Sequence, residues 1–390
     1  MEATSNPYSP GPGLVPPELA GRDDDLAAFD SLIARARDGR VGSPPVLLGL
    51  RGVGKTVLLR AFREHAERAD WLTMWIEGEP GGLGPSRAAA RLARELEGVS
   101  RRVRRRGKSS RSAGALGAIE SFSVNAALTG GGVSVSTRAP QADPFDLEFG
   151  LLDVVEALAQ GLVRDAVGAA LFVDEFQDLD LAATSALVAV QHAASQNGWP
   201  FYIIGAGLPT LPSRLAGVRS YTERYAYRTI DRLSDAQALE ALAGPARRLG
   251  VAFEDDAAAR LVAEAGGYPF YLQTFGYEAW LLGTDGRITA ANAEEAVARG
   301  HGALDGFFRA RWDRATAAER DALRLIAQDA PAASRVADLA ERLGKPVGAL
   351  GAVRRSLIAK GLVYAPARGQ LALTALGMAA FIEREDGRDA

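Results

Sequence analysis

The stretch Val46-Leu47-Leu48-Gly49-Leu50-Arg51-Gly52-Val53-Gly54-Lys55-Thr56-Val57 decides how this chain is read. Three apolar residues predict a short buried strand. A glycine-rich turn follows, and the apolar residues of 57–69 recur at helical spacing. Gly49 and Gly54 are separated by four residues and followed by Lys-Thr, which is the spacing of a P-loop. Glycines let such a backbone curl until several N–H groups face one anion, and the new helix adds the positive end of its dipole. Lys55 then reaches the outer phosphates of a nucleoside triphosphate, and the Thr56 hydroxyl can ligate Mg²⁺.

Such a loop needs an acidic partner at the tip of another buried strand. Ala170-Leu171-Phe172-Val173 is an apolar run that ends in Asp174-Glu175. There Asp174 would hold Mg²⁺, directly or through water, and Glu175 would polarise the attacking water. A carboxylate pair at a strand end also serves as a helix cap, so this pair carries meaning chiefly together with the loop upstream.

Outward from these two motifs, strands are predicted at 71–77, 201–204 and 225–230, with helices at 86–97, 151–167 and 182–196. Strands that alternate with helices argue for an α/β fold, a parallel sheet covered on both faces. Residues 1–17, rich in Pro and Gly, read as a flexible tail. Between 100 and 145 the composition changes. Arg101, Arg102, Arg104, Arg105, Arg106, Lys108 and Arg111 form a basic run, and Ser121–Ala126 and Val133–Ser136 alternate around Gly130-Gly131-Gly132. This predicts a hairpin inserted on the surface of a nucleotide domain spanning 18–230.

After Asp231 the strand signals stop. Ser234 can cap one helix, Glu254-Asp255-Asp256 begins another that ends at Gly266-Gly267, and 270–282 is a third. A helical lid over 231–301 is expected. From 302 to 390, three helices and a hairpin around Ala367-Arg368-Gly369 follow the winged-helix pattern. Residues 315–381 hold nine Lys/Arg against five Asp/Glu, a balance of +4. Arg354 and Arg355 fall on the expected recognition helix and Arg368 at the wing tip. That suits contacts to double-stranded DNA, although winged helices also dock proteins.

Composition narrows the classes. Of 390 residues, 47% are apolar and 24% charged, and the net charge is −3, which excludes a basic nucleic-acid coat. With no cysteine there are no disulfides or thiolate metal sites, and the three histidines sit far apart outside any motif. The N-terminus lacks a secretory pattern and no uncharged apolar run reaches the ~20 residues of a membrane helix, so a soluble, cytoplasmic protein with no membrane contact is expected.

Taken together the chain resembles the AAA+ and STAND group of P-loop ATPases, in particular a bacterial branch akin to origin-recognition/Cdc-type initiators and archaeal-type ATPases. Leu19-Ala20-Gly21-Arg22-Asp23-Asp24-Asp25-Leu26 is similar to a box that lies near the adenine in that group. Gly49–Thr56 is similar to Walker A, Phe172–Gln177 to Walker B, and Gly266-Gly267-Tyr268-Pro269-Phe270 to the lid's "GGxP" motif. The resemblance implies bound ATP or ADP with Mg²⁺, held by Gly21, Arg22, Gly49, Arg51, Gly52, Val53, Gly54, Lys55, Thr56, Val57, Asp174 and Pro269. It implies ATP hydrolysis with Glu175, Lys55 and Arg224 in catalytic roles. Arg224 would act as an arginine finger in a neighbouring subunit of a homo-oligomer, or else form a structural ion pair. Arg51 would touch phosphate or a partner. Two departures stand out. The strand 201–204 runs into Gly205-Ala206-Gly207 without a polar sensor residue, and the lid offers Gln273 where a sensor arginine is common. The implied activity is an ATPase whose nucleotide state drives oligomerisation or engagement of DNA or a partner. The alternatives are a signalling switch with little turnover and a DNA-binding regulator tuned by ATP.

Overall fold

The computed structural model describes residues 1–11, 13–79, 82–105, 110–130, 147–219, 222–375 and 377–389. They divide into two units, each with its own core.

One unit comprises residues 24–48 and 59–229. Its elements are α1 (Asp23–Arg37), β1 (Pro45–Leu48), α2 (Lys55–Arg68), β2 (Leu72–Glu77), α3 (Pro85–Arg105), α4 (Ser110–Gly130), α5 (Leu147–Arg164), β3 (Ala169–Asp174), α6 (Leu181–Gln196), β4 (Phe201–Gly207), α7 (Leu211–Ala216) and β5 (Ala226–Thr229). The strands form a wholly parallel sheet in the order β2-β3-β4-β1-β5. Burial explains why they read as unbroken apolar runs: every residue of β1, β3 and β4 is buried. Alternate residues serve opposite faces. Val46, Leu171, Val173 and Ile203 join Leu92, Leu151 and Leu187 of α3, α5 and α6 in one cluster. On the other face Phe29 of α1 stacks on Phe62 of α2 at 4.4 Å and meets Phe172 at 6.5 Å, and Trp71 stacks on Tyr202 at 5.2 Å. The α/β reading with both faces covered is thus met.

The expected hairpin is corrected in its first half. Ser121–Ala126 is helical, within α4, which packs against α3 and α5. Ile119, Phe122 and Ala126 are buried while Val124 is 58% exposed, so the apolar residues follow a helical stripe rather than a period of two. The second half, 131–136, lies outside the described residues. Of the basic run, Arg101, Arg102, Arg104 and Arg105 lie on α3 and Arg111 on α4; Arg102 faces Glu67 at 3.5 Å and Arg104 meets Glu120 at 3.1 Å. Arg106 and Lys108 lie outside the described residues.

The other unit comprises residues 1–23, 49–58 and 230–390. It contains α8 (Asp235–Arg248), β6 (Ala252–Phe253), α9 (Asp255–Ala265), α10 (Pro269–Leu282), β7 (Arg287–Ile288), α11 (Ala290–Trp312), α12 (Ala317–Asp329), β8 (Ser334–Arg335), α13 (Val336–Arg342), α14 (Leu350–Ala359), β9 (Val363–Tyr364), β10 (Gln370–Leu373) and α15 (Gly377–Asp389). Ser234 and Gln237 form a reciprocal capping box on α8, and α9 stops at Gly266 in the left-handed region, φ 56°. α11 runs unbroken through 301–302, where a domain boundary was expected, and one apolar cluster extends from Leu233 to Ile382. β8, between α12 and α13, joins β9 and β10, which follow α14, in the antiparallel sheet β8-β10-β9. The terminal α15, unanticipated from sequence, drives Phe381 against Phe308 at 5.9 Å and Trp312 at 6.3 Å.

The start of the chain is not a flexible tail. Tyr8 is 2% exposed and its ring fills the space that a Cβ on Gly276 of α10 would need, at 2.8 Å. Its hydroxyl donates to the Leu242 carbonyl, the Met1 ammonium donates to Gly283 O at 2.7 Å, and Trp280 Nε1 donates to Glu2 O at 3.0 Å.

Candidate functional site

The glycine-rich loop leaves β1 and closes into the first turn of α2. Gly52 and Gly54 adopt φ 89° and 94°, backbone that only glycine enters readily. A Cβ at Gly52 would meet nothing within 4 Å, and one at Gly54 only Pro269 Cγ at 3.9 Å. The loop is therefore a bare backbone cradle that any side chain would fill, which fits a phosphate. Gly49 is required for another reason: a Cβ there would lie 2.3 Å from Ile230 O. Val53 is buried, Thr56 and Val57 are half-buried in the first turn of α2, and Lys55 is 7% exposed with its ammonium donating to Leu50 O at 2.8 Å. A cation folded onto a loop carbonyl is already desolvated and has a short path to an anion in the cradle.

Residues distant in sequence converge on this loop. Arg22 donates to Val53 O at 3.0 Å and to Asp231 O at 2.7 Å, so it ties the loop to the segment that follows β5. Gly21, at φ 69°, has the Gln237 amide 2.5 Å from where a Cβ would stand. Arg232 lies over the Tyr268 ring at 5.8 Å, and burial, with Arg232 opposing, raises the Tyr268 phenol above its ordinary pKa. Gly21, Arg22, Gly49–Val57 and Pro269 are thus brought together in one unit.

Arg51 does something its sequence position did not reveal. Its main-chain N–H donates to Thr374 O at 3.0 Å, beside a bridge to Ala375, and its guanidinium donates to Gly361 O at 2.9 Å. Thr374 Oγ1 donates to the same Gly361 carbonyl at 2.7 Å. The partner of the loop arginine is therefore the turn before β9 and the end of β10.

The acidic pair belongs to the sheet unit. β4 separates β1 from β3, and the parallel order opens their C-terminal ends on the same edge of the sheet. Asp174 is 4% exposed and its Oδ1 accepts from the Glu175 N–H at 3.0 Å. Glu175 sits at φ 45°, uncommon for a residue with a side chain, and the backbone turns sharply there. Gln177 Nε2 donates to Glu175 Oε2 at 2.5 Å and to Asp178 Oδ2 at 3.2 Å, while its Oε1 accepts from Leu208 N–H at 3.0 Å. Arg224 lies on a short 3₁₀ turn, Thr222–Arg224, and is exposed; burial first and the Arg224 charge second lower the His192 pKa. On α10, Gln273 is taken up by the N-terminal segment: its Oε1 accepts from Ser9 N–H at 3.1 Å. Asp25, next to the Gly21-Arg22 box, binds Arg228 of β5 at 2.6 Å. Among the described residues no group of three or more His, Asp or Glu could hold a metal ion.

Residues 18–204 match the family described as the AAA ATPase domain. That stretch, with its glycine-rich loop and parallel sheet, is similar to an AAA+ P-loop ATPase domain. Residues 305–382 match a second family, described only as a domain of unknown function (DUF8462). No curated protein matches the chain. Among solved structures the chain is similar to the Walker-type ATPase paby2304 of Pyrococcus abyssi, at 15% identity over 94% of this chain and 96% of that one, TM-score 0.58. Further matches are Cdc6p from Pyrobaculum aerophilum (16% identity, 100% and 99% covered, TM-score 0.48) and the Thermotoga maritima RuvB Holliday junction branch migration motor (16%, 92% and 95%, TM-score 0.47). The first of these is a likeness of fold. Among the described residues no helix is long and apolar enough to cross a membrane.

Proposed function

We propose that this AAA+ domain binds Mg²⁺-ATP and hydrolyses it slowly, and that the nucleotide state of its P-loop is read by the C-terminal region. The observation that carries this reading is the double attachment of Arg51 to Thr374 and Gly361. An anion that reorders the loop would move a residue hydrogen-bonded to the C-terminal strands, so binding and C-terminal arrangement become one equilibrium. Mg²⁺ would supply charge neutralisation of the phosphates. On the protein side Lys55 and the N–H groups of Gly52–Thr56 would hold the phosphates, with Thr56 and Asp174 as metal ligands. Glu175 would orient the water and take up its proton as the terminal phosphorus–oxygen bond to ADP breaks. Gly21, Arg22 and Pro269 would border the base. The exposed Arg224 suits a finger offered to a second copy.

A second reading concerns what the C-terminal region engages. We take α12–α14 with β8–β10 as a winged helix. An open groove of about 570 Å³ in it is lined by Arg335, Arg354 and Arg368 with Asp338 and Gly369. Arg309, Arg320, Arg324, Arg342, Lys360 and Arg384 of the same region each meet a carboxylate. The groove arginines meet none among the described residues, and Arg354 Nε is buried without a partner. Unpaired guanidinium groups around one groove favour duplex phosphates over an apolar partner.

Steady-state turnover of the wild type, Lys55→Ala and Glu175→Gln tests the first reading. Wild-type hydrolysis should fall at least about 100-fold in Glu175→Gln while ATP still binds, whereas Lys55→Ala should lose binding. ATP binding with no turnover in either the wild type or Glu175→Gln would leave only a switch.

A further inference from the structure

We infer that Gln177 positions the Glu175 carboxylate and substitutes for the polar residue that β4 lacks. The inference rests on the proposed role of Glu175 in hydrolysis, but its geometry stands by itself. β4 ends in Gly205-Ala206-Gly207, and both glycines are occupied space. A Cβ on Gly205 would lie 2.6 Å from the Phe176 ring, and one on Gly207 would lie 2.6 Å from Gln177 Oε1. Phe176, fully buried, and Gln177 follow Glu175 directly in the chain. The turn after β3 therefore lays its own side chains over the bare tip of β4.

Gln177 uses both ends of its amide. The oxygen is anchored by the Leu208 N–H at 3.0 Å, immediately beyond β4. That anchor fixes which way the amide faces, because only the oxygen can accept from an N–H. The nitrogen is consequently aimed at the acidic side, where it donates to Glu175 at 2.5 Å and to Asp178 at 3.2 Å. A hydrogen bond to a carboxylate is stronger than one between neutral groups. Glu175 has a left-handed backbone that leaves its side chain few rotamers, and the Gln177 amide selects among them. A short strand-to-turn link thus supplies what a sensor side chain on β4 would supply: a donor tied to the neighbouring strand.

Gln177→Glu separates positioning from structure. The new carboxylate still accepts from Leu208 N–H, so the anchor remains, but the donor to Glu175 becomes an acceptor. The expected result is a fall in kcat of about tenfold or more with KM for ATP within about twofold. Gln177→Asn, one methylene shorter, should lose a similar factor, because it cannot span Leu208 and Glu175 together. In the Glu175→Gln background, Gln177→Glu should cost nothing further. A readout independent of turnover accompanies this: with ¹³Cδ-labelled glutamate, the resonance missing from Glu175→Gln should move in Gln177→Glu. A loss expressed in KM, an unchanged kcat, or an unmoved resonance overturns the inference. If the wild type does not hydrolyse ATP, the proposed function fails, and the resonance still decides the link between Gln177 and Glu175.

Discussion

Gly361→Ala offers a direct measure of the link between the P-loop and the C-terminal strands. Gly361 has φ 65°, and a Cβ there would stand 2.8 Å from Arg51 Nη1 and 3.0 Å from Nη2. Two costs follow. A left-handed alanine costs about 1–2 kcal/mol relative to glycine. The methyl group also displaces the guanidinium, and a hydrogen bond involving a charged group is worth about 1.5–3 kcal/mol. The lower end applies, because Thr374 Oγ1 continues to satisfy the Gly361 carbonyl. The single substitution should therefore cost about 3 kcal/mol. In the Arg51→Ala background the guanidinium is gone, so the same change should cost only the backbone strain, about 1.5 kcal/mol. Equilibrium urea unfolding of the four proteins, followed by tryptophan fluorescence, yields the coupling energy. A coupling near 1.5 kcal/mol supports the attachment. Strict additivity would mean that Arg51 and Gly361 do not interact in solution, and the proposed coupling of nucleotide to C-terminal region would keep only the main-chain bond to Thr374.

Glu319 should dominate the acid limb of stability in the C-terminal region. It is 3% exposed; burial raises its pKa, but bonds from Lys360 at 2.6 Å, from Ser356 and from Thr316 outweigh this and bring it down from 4.5 to about 2. Because the folded pKa is depressed, the stabilisation is complete above pH 4.5 and is lost as pH falls towards 2; it amounts to about 3 kcal/mol. Glu319→Gln keeps the capping-box residue type and should flatten chemical denaturation midpoints over that window. Tyr8→Ala should cost about 3–5 kcal/mol, because it opens a cavity over Gly276; a thermal midpoint within about 2 °C of wild type would contradict docking of the N-terminal segment. Converting Arg335, Arg354 and Arg368 to glutamine together should reduce the magnitude of the slope of log K against log salt for duplex binding by about 2–3. An unchanged slope, or no duplex binding by the wild type, removes the groove from consideration.

How much of this was legible in advance follows from the range of each interaction. The P-loop, the strand ending in Asp174-Glu175, the Ser234 cap and the stop at Gly266 are local: spacing and turn chemistry specify them, and the structure has them where the sequence suggested. The α/β class followed from apolar runs alternating with helical stripes. Ser121–Ala126 was misread because a short polar–apolar alternation is compatible with either period. Burial of Ile119, Phe122 and Ala126 against α3 and α5 decided for the helix. The N-terminal residues looked free because Pro and Gly set no pattern, yet Tyr8 found a glycine-shaped recess on α10.

What the sequence alone determined is the chemistry that this chain can offer: a glycine-rich loop before a helix, a carboxylate pair at a strand end and a family resemblance. What only the tertiary structure decided is what each group is attached to. Arg51 is a loop residue until Gly361 and Thr374, some 310 and 323 positions away, provide carbonyl oxygens for it. Gln177 is an unremarked polar residue until β4 presents two glycines and the Leu208 N–H just beyond it. Both depend on long-range hydrogen bonds whose partners carry no side-chain signature, since a backbone carbonyl or N–H is the same in every residue but proline. No pattern in one dimension marks them, and the folded backbone alone brings them within 3 Å.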